Sequence, residues 1–398
     1  MSNRNYYIDL QLKKLSEEKQ AILRSQVDRI DYSLFNALDE RECQTARGVF
    51  SPIGAVEVKD IAAKEEEFRA TGLDAIRSGK VGAVLLAGGQ GTRLGANGPK
   101  GTYNVGVTRD LYIFECLVNN LLDVTNAAGA YVPLYIMTST VNHDQTISFF
   151  QEHNYFGYPE DYVKFFIQEM VPAVDYEGRI LMQSESELVL SPNGNGGWFS
   201  SMAKTGMLDD VHARGVEWLN VFAVDNVLQR IADPVFVGAT IGSGCVSGAK
   251  VVRKAAPGER VGVLCLEDGK PSIVEYYEMS DEMANLRNED GALTYGFGVI
   301  LNYLFTVDTL EQIMNNHLPI HVVEKKIPYM DESGVAHAPT EPNGYKFETL
   351  VLDMIHMMDD CLAYEVVREK EFAPIKNLHG VDSVDSAREL LKKNGVYL

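Results

Sequence analysis

Apolar residues are spaced in two different ways along the chain. Between residues 5 and 80 they recur at roughly helical spacing among Glu, Lys and Arg, and the clearest examples are Leu12, Leu15, Ile22, Leu23 and Ile30. We interpret residues 1–80 as a helical N-terminal extension that packs on the main domain, with a partner-binding arm as the alternative.

From residue 81 onward, short apolar runs alternate with amphipathic segments. Runs typical of buried strands cover residues 81–86, 132–137, 163–167 and 218–224, and helical patterns cover 111–122 and 145–153. This alternation predicts an α/β fold in which right-handed βαβ units build a mostly parallel sheet. Ligands of such sheets bind at the carboxyl ends of the strands.

The last third of the chain predicts a mixed extension of this sheet. Strands are predicted at 261–266, 272–277 and 362–367, and helices at 347–357 and near 386–393. We therefore divide the chain into the N-terminal extension (1–80), a main domain (81–335) and a small C-terminal α+β region (336–398).

Charge and cysteine content narrow the class of protein. Among 398 residues the formal net charge is −20, which makes nucleic acids and anionic membranes poor partners, although local amides and lysines can still bind small anions. The N-terminal residues carry charges every few positions and lack the apolar core of a signal peptide, and no stretch approaches the ~20 uncharged apolar residues of a membrane span, so we expect a soluble, cytoplasmic protein. Five scattered cysteines indicate reduced thiols rather than a disulfide framework: Cys43, Cys116, Cys245, Cys265 and Cys361.

A glycine-rich loop follows the first predicted strand and carries most of the chemical information. It has glycine at 88, 89, 91 and 95, and Arg93 and Lys100 stand close by. Leu94 breaks the dinucleotide-binding pattern, and Ala96 with Asn97 breaks the Walker A pattern. The order G-G-x-G-T-R-L followed by Pro-Lys is instead typical of sugar-nucleotide pyrophosphorylases, and a glycine-rich turn without a ligand is the alternative.

That reaction explains the residue types in the loop. The phosphate of a sugar 1-phosphate attacks the α-phosphorus of a nucleoside triphosphate, and pyrophosphate leaves in line, so catalysis is mostly positioning and electrostatic stabilisation. Arg93 can bind the departing β- and γ-phosphates, and Lys100 can place a point charge at the α-phosphate. No protein nucleophile is needed.

Two further segments fit the same chemistry. Asp225 follows an apolar strand, where a carboxylate can hold Mg²⁺ between the two reacting phosphates; a helix N-cap is its alternative role. The turn-rich segment 191–197 can lie against a base or sugar hydroxyls, or form an ordinary surface turn.

At these residues the chain resembles the eukaryotic-type UDP-N-acetylglucosamine pyrophosphorylases of the UDP-sugar pyrophosphorylase family. The resemblance implies a Rossmann-like nucleotidyltransferase domain at 81–335, and a reaction of UTP with N-acetylglucosamine 1-phosphate. The matching segments extend in order over roughly residues 80 to 380: 86–95, 99–101, 135–139, 155–157, 194–197, 224–226, 248–252, 274–276, 325–329, 342–346 and 372–377.

The resemblance also assigns roles to residues. Lys376 joins Arg93 and Lys100 as catalytic, and Asp225 is the Mg²⁺ ligand. Each of two residues also has an alternative role without ligand contact: Glu275 as a solvated strand residue, and Lys346 at an exposed helix start. The implied nucleotide contacts are Leu86, Ala87, Gly88, Gly89, Gly91, Thr92, Gln168 and Gly194, and the implied sugar contacts are Asn195, Gly262, Glu275 and Lys346.

One departure from the family pattern leaves the sugar open. Val299 stands where the family usually has an asparagine that touches the sugar, a change of about 1 kcal/mol for one neutral hydrogen bond. A UDP-glucose or broad-specificity UDP-sugar pyrophosphorylase is therefore the nearest alternative, and a non-catalytic UDP-sugar sensor is a second. We expect UTP and a hexose 1-phosphate as partners, and a monomer or weak homodimer.

Overall fold

The structure is a computed structural model that describes residues 4–40, 47–315 and 318–398. It divides into two compact units. The smaller unit comprises Met1–Arg47, Gln168–Gly197 and His317–Val351, and the larger unit comprises Gly48–Ile167, Trp198–Asn316 and Leu352–Leu398. These bounds differ from the predicted divisions after residues 80 and 335, because each unit is assembled from three separate chain segments.

The helices in the described residues follow in chain order: α1 (Tyr6–Leu12), α2 (Glu17–Val27), α3 (Asn36–Glu40), α4 (Val58–Arg77), α5 (Ile113–Ala128), α6 (His143–Glu152), α7 (Trp198–Lys204), α8 (Met207–Ala213), α9 (Pro234–Ser243), α10 (Asp281–Asn285), α11 (Val307–Asn315), α12 (Val351–Met357), α13 (Arg368–Glu371) and α14 (Val384–Lys393).

The strands follow in the same way: β1 (Phe50–Pro52), β2 (Ala55–Val56), β3 (Val81–Leu86), β4 (Leu134–Thr138), β5 (Val163–Ile167), β6 (Met170–Pro172), β7 (Val174–Asp175), β8 (Met182–Ser184), β9 (Glu187–Leu188), β10 (Leu190–Pro192), β11 (Trp218–Ala223), β12 (Ser247–Arg253), β13 (Val263–Glu267), β14 (Lys270–Val274), β15 (Phe297–Thr306), β16 (His321–Lys325), β17 (Tyr329–Met330), β18 (Ala336–His337), β19 (Gly344–Glu348) and β20 (Leu362–Glu365).

The larger unit is built on one mixed sheet. Its main path runs β2-β20-β12-β15-β11-β3-β4-β5, and every neighbouring pair on this path is parallel except the two that β15 makes. All six residues of β3 are buried, which explains its unbroken apolar run. Strands β1, β13 and β14 form an antiparallel branch. The predicted α/β class with a mostly parallel sheet is confirmed.

The smaller unit has its own apolar core and three small sheets. Strand β19 lies between β16 and β7, β17 lies between β18 and β8, and β10 pairs with β6. A hydrophobic cluster gathers residues from all three of its chain segments, among them Ile8, Leu23, Val174 and Phe347. The N-terminal helices α1 and α2 therefore pack on later segments of the same unit.

Two element predictions differ from the structure. Residues 50–56 form β1 and β2, although a helical pattern was expected up to residue 80, because these short segments pair with β13 and β20. The predicted helix at 347–357 begins only at Val351, and the residues before it form β19, where Tyr345 and Phe347 are buried on alternate positions.

Two further sequence expectations concern thiols and membranes. Cys116, Cys245, Cys265 and Cys361 are free, and Cys43 lies outside the described residues. None of the helices in the described part of the chain has the length and apolar character needed to cross a membrane.

Candidate phosphate-binding site

Hydrogen bonds to its backbone carbonyls fix the conformation of the glycine-rich loop in the larger unit. Leu86 ends β3, and the buried Asn142 donates through Nδ2 to the carbonyls of Ala87 at 3.0 Å and Gly89 at 3.3 Å. The amide of Lys100 donates to the Gly89 carbonyl at 3.1 Å, which closes the loop. Thr92 and Arg93 are exposed in a short 3₁₀ turn. The loop therefore stands at the carboxyl end of a parallel strand.

Two glycines near this loop have different reasons to be glycine. A Cβ on Gly101 would lie 2.2 Å from the ring of Phe114, so packing in the folded protein requires a glycine there. A Cβ on Gly89 would meet nothing within 4 Å, and Gly89 does not have a positive φ. The fold itself leaves space for a side chain at Gly89. Because this space is open to solvent, a ligand can approach the backbone there.

Two cations and one carboxylate lie within electrostatic range of Lys100 beside the loop. Burial lowers the pKa of Lys100 below its ordinary value, Asp225 opposes this, and the positive charges of Lys376 and Arg93 add to it. These interactions place Arg93, Lys376 and Asp225 within electrostatic range of Lys100. Like charges are gathered here in a chain with a net charge of −20, an arrangement that favours a bound polyanion.

The segment after β11 brings Asp225 to this cluster. The Asp225 carbonyl accepts a hydrogen bond from the amide of Ile375 at 2.8 Å, so the chain before Lys376 runs beside it. Lys376 Nζ lies 3.0 Å from Asp382 Oδ2. The N-cap of α9 is Asp233, whose side chain accepts from the amide of Val235. The alternative role of Asp225 as a helix N-cap is therefore wrong.

The carboxylate of Asp225 suits a hard cation that is coordinated by protein and substrate together. In the described residues no group of three or more His, Cys, Asp or Glu side chains is placed to hold a metal ion. A resident zinc-type site in this part of the chain is therefore not indicated. Mg²⁺ is commonly held by one or two carboxylates and completed by phosphate oxygens and water, and Asp225 beside Lys100 fits that pattern.

Two of the predicted sugar contacts lie side by side in the larger unit. A Cβ on Gly262 would lie 3.3 Å from Glu275 Oε1 and 3.4 Å from Val299 Cγ2. Burial, together with the negative charge of Glu278, raises the pKa of Glu275. Glu275 is therefore not a fully solvated strand residue, which was its alternative role. Val299, which replaces the usual asparagine of the family, lies beside the same glycine.

The remaining predicted contacts lie in the smaller unit. Gln168 is buried, and its Nε2 donates to the Gly194 carbonyl at 2.7 Å. Asn195 Oδ1 accepts from the amide of Val351 at 3.0 Å, so this side chain also shapes the loop. Lys346 is half-buried on β19, and the alternative of an exposed helix start is wrong.

The loop at 191–197 is packed rather than an ordinary surface turn. A Cβ on Gly194, which has a φ of 85°, would lie 2.2 Å from the Thr349 carbonyl oxygen. Gly196 and Gly197 are buried. The surface-turn alternative for this segment is therefore wrong, although which ligand the loop contacts stays a prediction.

Sequence reasoning did not single out two residues that position this site. Asn142 holds the glycine loop, and its signal in the sequence was its place just after β4, the strand that neighbours β3. Asp382 binds Lys376 and has a φ of 53°, a left-handed conformation that is uncommon for residues other than glycine. No local pattern pointed to Asp382, because its role depends on the return of the chain.

Comparison with known proteins places the chain in a family. Residues 37–395 match the family described as UTP--glucose-1-phosphate uridylyltransferase. Human UDP-N-acetylhexosamine pyrophosphorylase-like protein 1 is 41% identical over 82% of this chain and 66% of its own length. The UDP-N-acetylglucosamine pyrophosphorylase of Saccharomyces cerevisiae is 39% identical over 79% of this chain and 68% of its own length.

The fold agrees with a solved relative. The crystal structure of the uridine diphosphate N-acetylglucosamine pyrophosphorylase from Trypanosoma brucei, in complex with an inhibitor, has a TM-score of 0.84 at 27% identity, covering 98% of this chain and 82% of that one. The chain spans 63–66% of the length of the human, mouse and Xenopus relatives. Sequence and fold agree, and the chain belongs to the UTP--glucose-1-phosphate uridylyltransferase family.

Proposed function

We propose that the chain transfers a uridylyl group from UTP to N-acetylglucosamine 1-phosphate and releases pyrophosphate. The observation that carries the proposal is the gathering of Arg93, Lys100 and Lys376 with Asp225 beside an open glycine loop. Two polyanions must meet in this reaction, and cations concentrated beside one loop of an acidic protein offset their repulsion.

The residues divide the work by position. The exposed Arg93 is free to bind the β- and γ-phosphates that leave, because a guanidinium matches two phosphate oxygens at once. Lys100 is partly buried, so its charge acts through a lower effective dielectric on the α-phosphate. Lys376 completes the cluster, and Gly89 allows close approach of phosphate to the backbone.

Asp225 is the residue we propose as the Mg²⁺ ligand. When bound, the ion would neutralise phosphate charge between the two reacting groups. A single carboxylate beside cationic side chains does not fill the coordination shell of Mg²⁺, so substrate phosphates are needed to complete it. We therefore expect Mg²⁺ to be bound together with UTP rather than before it.

The names of the relatives favour N-acetylglucosamine over glucose as the sugar. The yeast, Dictyostelium and plant relatives are 36–39% identical to this chain and are named for UDP-N-acetylglucosamine. Solved UDP-glucose pyrophosphorylases are 16–17% identical, a level that supports only the fold. The predicted roles of Gln168, Gly194, Asn195 and Lys346 stay predictions, as do a cytoplasmic location and a monomeric or weakly dimeric state.

A direct assay tests the proposal. Pyrophosphate release is measured with UTP, Mg²⁺ and each of four sugars in turn: glucose, galactose, N-acetylglucosamine and N-acetylgalactosamine 1-phosphate. We expect the highest kcat/KM with N-acetylglucosamine 1-phosphate. A preference for glucose 1-phosphate would support the UDP-glucose alternative. Tight UDP-sugar binding without any turnover would support the sensor.

Replacing Gly89 with alanine should separate ligand binding from folding. The Cβ meets no atom of the protein, so we expect the melting temperature to change by less than about 2 °C. Phosphate or base against the backbone would meet that Cβ, and we expect UTP to bind about tenfold more weakly, a loss of about 1.4 kcal/mol. Gly54→Ala is the control, since its Cβ also meets nothing within 4 Å. Equal UTP affinity in both variants would remove Gly89 from the site.

Replacing Val299 with asparagine tests the sugar pocket. Val299 lies beside Gly262 and Glu275, where an amide can bond a sugar group. One added neutral hydrogen bond of about 1 kcal/mol corresponds to about a fivefold rise in kcat/KM for N-acetylglucosamine 1-phosphate. Val49→Asn, at an exposed position, should leave all four sugars unchanged. An unchanged sugar profile for Val299→Asn would mean that this position does not touch the sugar.

A further inference from the structure

A lysine with no exposed surface lies between the chain segments that carry Asp225 and Lys376. Lys250 Nζ donates to Asp233 Oδ2 at 3.1 Å, to Glu371 Oε2 at 2.5 Å and to the Arg230 carbonyl at 3.3 Å. All three charged side chains of this buried ion cluster, Lys250, Asp233 and Glu371, are at least nine-tenths buried. Such clusters are costly to desolvate, and apolar replacements often fold as well or better. Stability alone is therefore a weak explanation for the presence of this buried ion cluster.

The ammonium group of Lys250 joins two chain segments that lead to the site. Arg230 and Asp233 belong to the loop that follows Asp225, and Glu371 lies five residues before Lys376. The same two segments are tied by Asn226, which donates to the Glu371 carbonyl at 2.8 Å and accepts from the amide of Ala373 at 2.9 Å. Ile375 then bonds to the Asp225 carbonyl. These contacts fix the segment that carries Asp225 against the segment that carries Lys376.

The sheet is distorted at this lysine. Pairing of β12 with β15 passes from Ala249↔Tyr303 to Val251↔Val299, so β15 bulges opposite Lys250. Within the bulge, Leu301 has a φ of 51°, and Asn302 donates to the same Arg230 carbonyl at 3.3 Å. A left-handed leucine inside a strand costs free energy, and such strain is retained where other contacts require it.

We propose that Lys250 and Glu371 are positioning residues that set the placement of Lys376 relative to Asp225. This inference rests on the proposed uridylyl transfer. The charge of the pair holds the 371–376 segment against the end of β11, so that Lys376 meets the transition state at a set distance from the carboxylate. A change in that distance alters kcat more than substrate affinity, because positioning matters most when charge moves.

A double-mutant cycle tests the proposal. Glu371→Gln keeps the shape and the acceptor oxygen but removes the charge, and we expect kcat to fall about tenfold with KM for UTP changed less than about twofold. In a Lys376→Ala background the same substitution should lower kcat by less than about twofold, because there is no longer a lysine to place. Glu267→Gln, at another buried glutamate of the larger unit, should change kcat by the same small factor in both backgrounds.

The possible outcomes are distinguishable. Independent, multiplicative effects of Glu371→Gln and Lys376→Ala in a cycle whose wild type is active would overturn the positioning role and leave the proposed function intact. A wild type that turns over none of the four sugar phosphates would overturn both. If Glu371→Gln gives no cooperative thermal transition, Glu371→Asp keeps the charge and shortens the side chain. The fall in kcat caused by Glu371→Asp must then also shrink to less than about twofold in the Lys376→Ala background.

Discussion

Replacing Lys100 with alanine is expected to lower kcat by about a hundred- to a thousandfold, the range seen when one preorganised donor to a developing charge is removed. Lys100 is partly buried, within electrostatic range of Arg93, Lys376 and Asp225. Its charge is best used as the α-phosphorus is attacked, so UTP affinity should change by less than about threefold. Steady-state kinetics with N-acetylglucosamine 1-phosphate and a separate UTP-binding titration measure the two quantities.

The folded protein should not lose stability in this variant. Burial and neighbouring cations lower the pKa of Lys100, which means that its charge is less favourable in the folded state than in the unfolded one. Removing that charge at neutral pH should leave the melting temperature unchanged or raise it. Lys64→Ala, at an exposed position of α4, is the matched control for activity. Equal losses in kcat and UTP affinity for Lys100→Ala would show that Lys100 only binds substrate.

Replacing Asp225 with asparagine is expected to abolish most of the Mg²⁺-dependent rate, with kcat lower by about a hundredfold or more because metal neutralisation of phosphate charge is worth several kcal/mol. An amide is a much weaker Mg²⁺ ligand than a carboxylate, so the Mg²⁺ concentration for half-maximal rate should also rise. The backbone carbonyl of Asp225 that binds Ile375 is kept, and folding should therefore be preserved. Rates measured over a Mg²⁺ titration provide both values.

A matched carboxylate separates this effect from the loss of charge alone. Asp209→Asn, at an exposed position of α8, removes the same charge away from the cluster and should leave the Mg²⁺ titration unchanged. Addition of a chelator should stop turnover by the wild-type protein. A normal Mg²⁺ dependence in Asp225→Asn would exclude this residue as the metal ligand.

The elements that the sequence predicted well are those whose environment is uniform along the chain. Residues of β3 are buried on both faces, and the predicted and observed bounds are the same because a continuous apolar run has one simple explanation. The helix predicted at 386–393 is observed as Val384–Lys393. The prediction was wrong at 50–56 and at the start of α12, because β1, β2 and β19 are short strands that exist only through partners far along the chain.

The order of glycines, Arg93 and Lys100 along one loop was sufficient to indicate a phosphate-binding segment and the family, because loop chemistry is local in sequence. The sequence alone could not place Lys376 beside Lys100 or Asp382 beside Lys376, nor reveal that Lys250 is an entirely buried cation between two carboxylates. Those relations join residues that the chain separates widely. They arise only when the strands pair and water is removed, and burial then determines which charges must be matched.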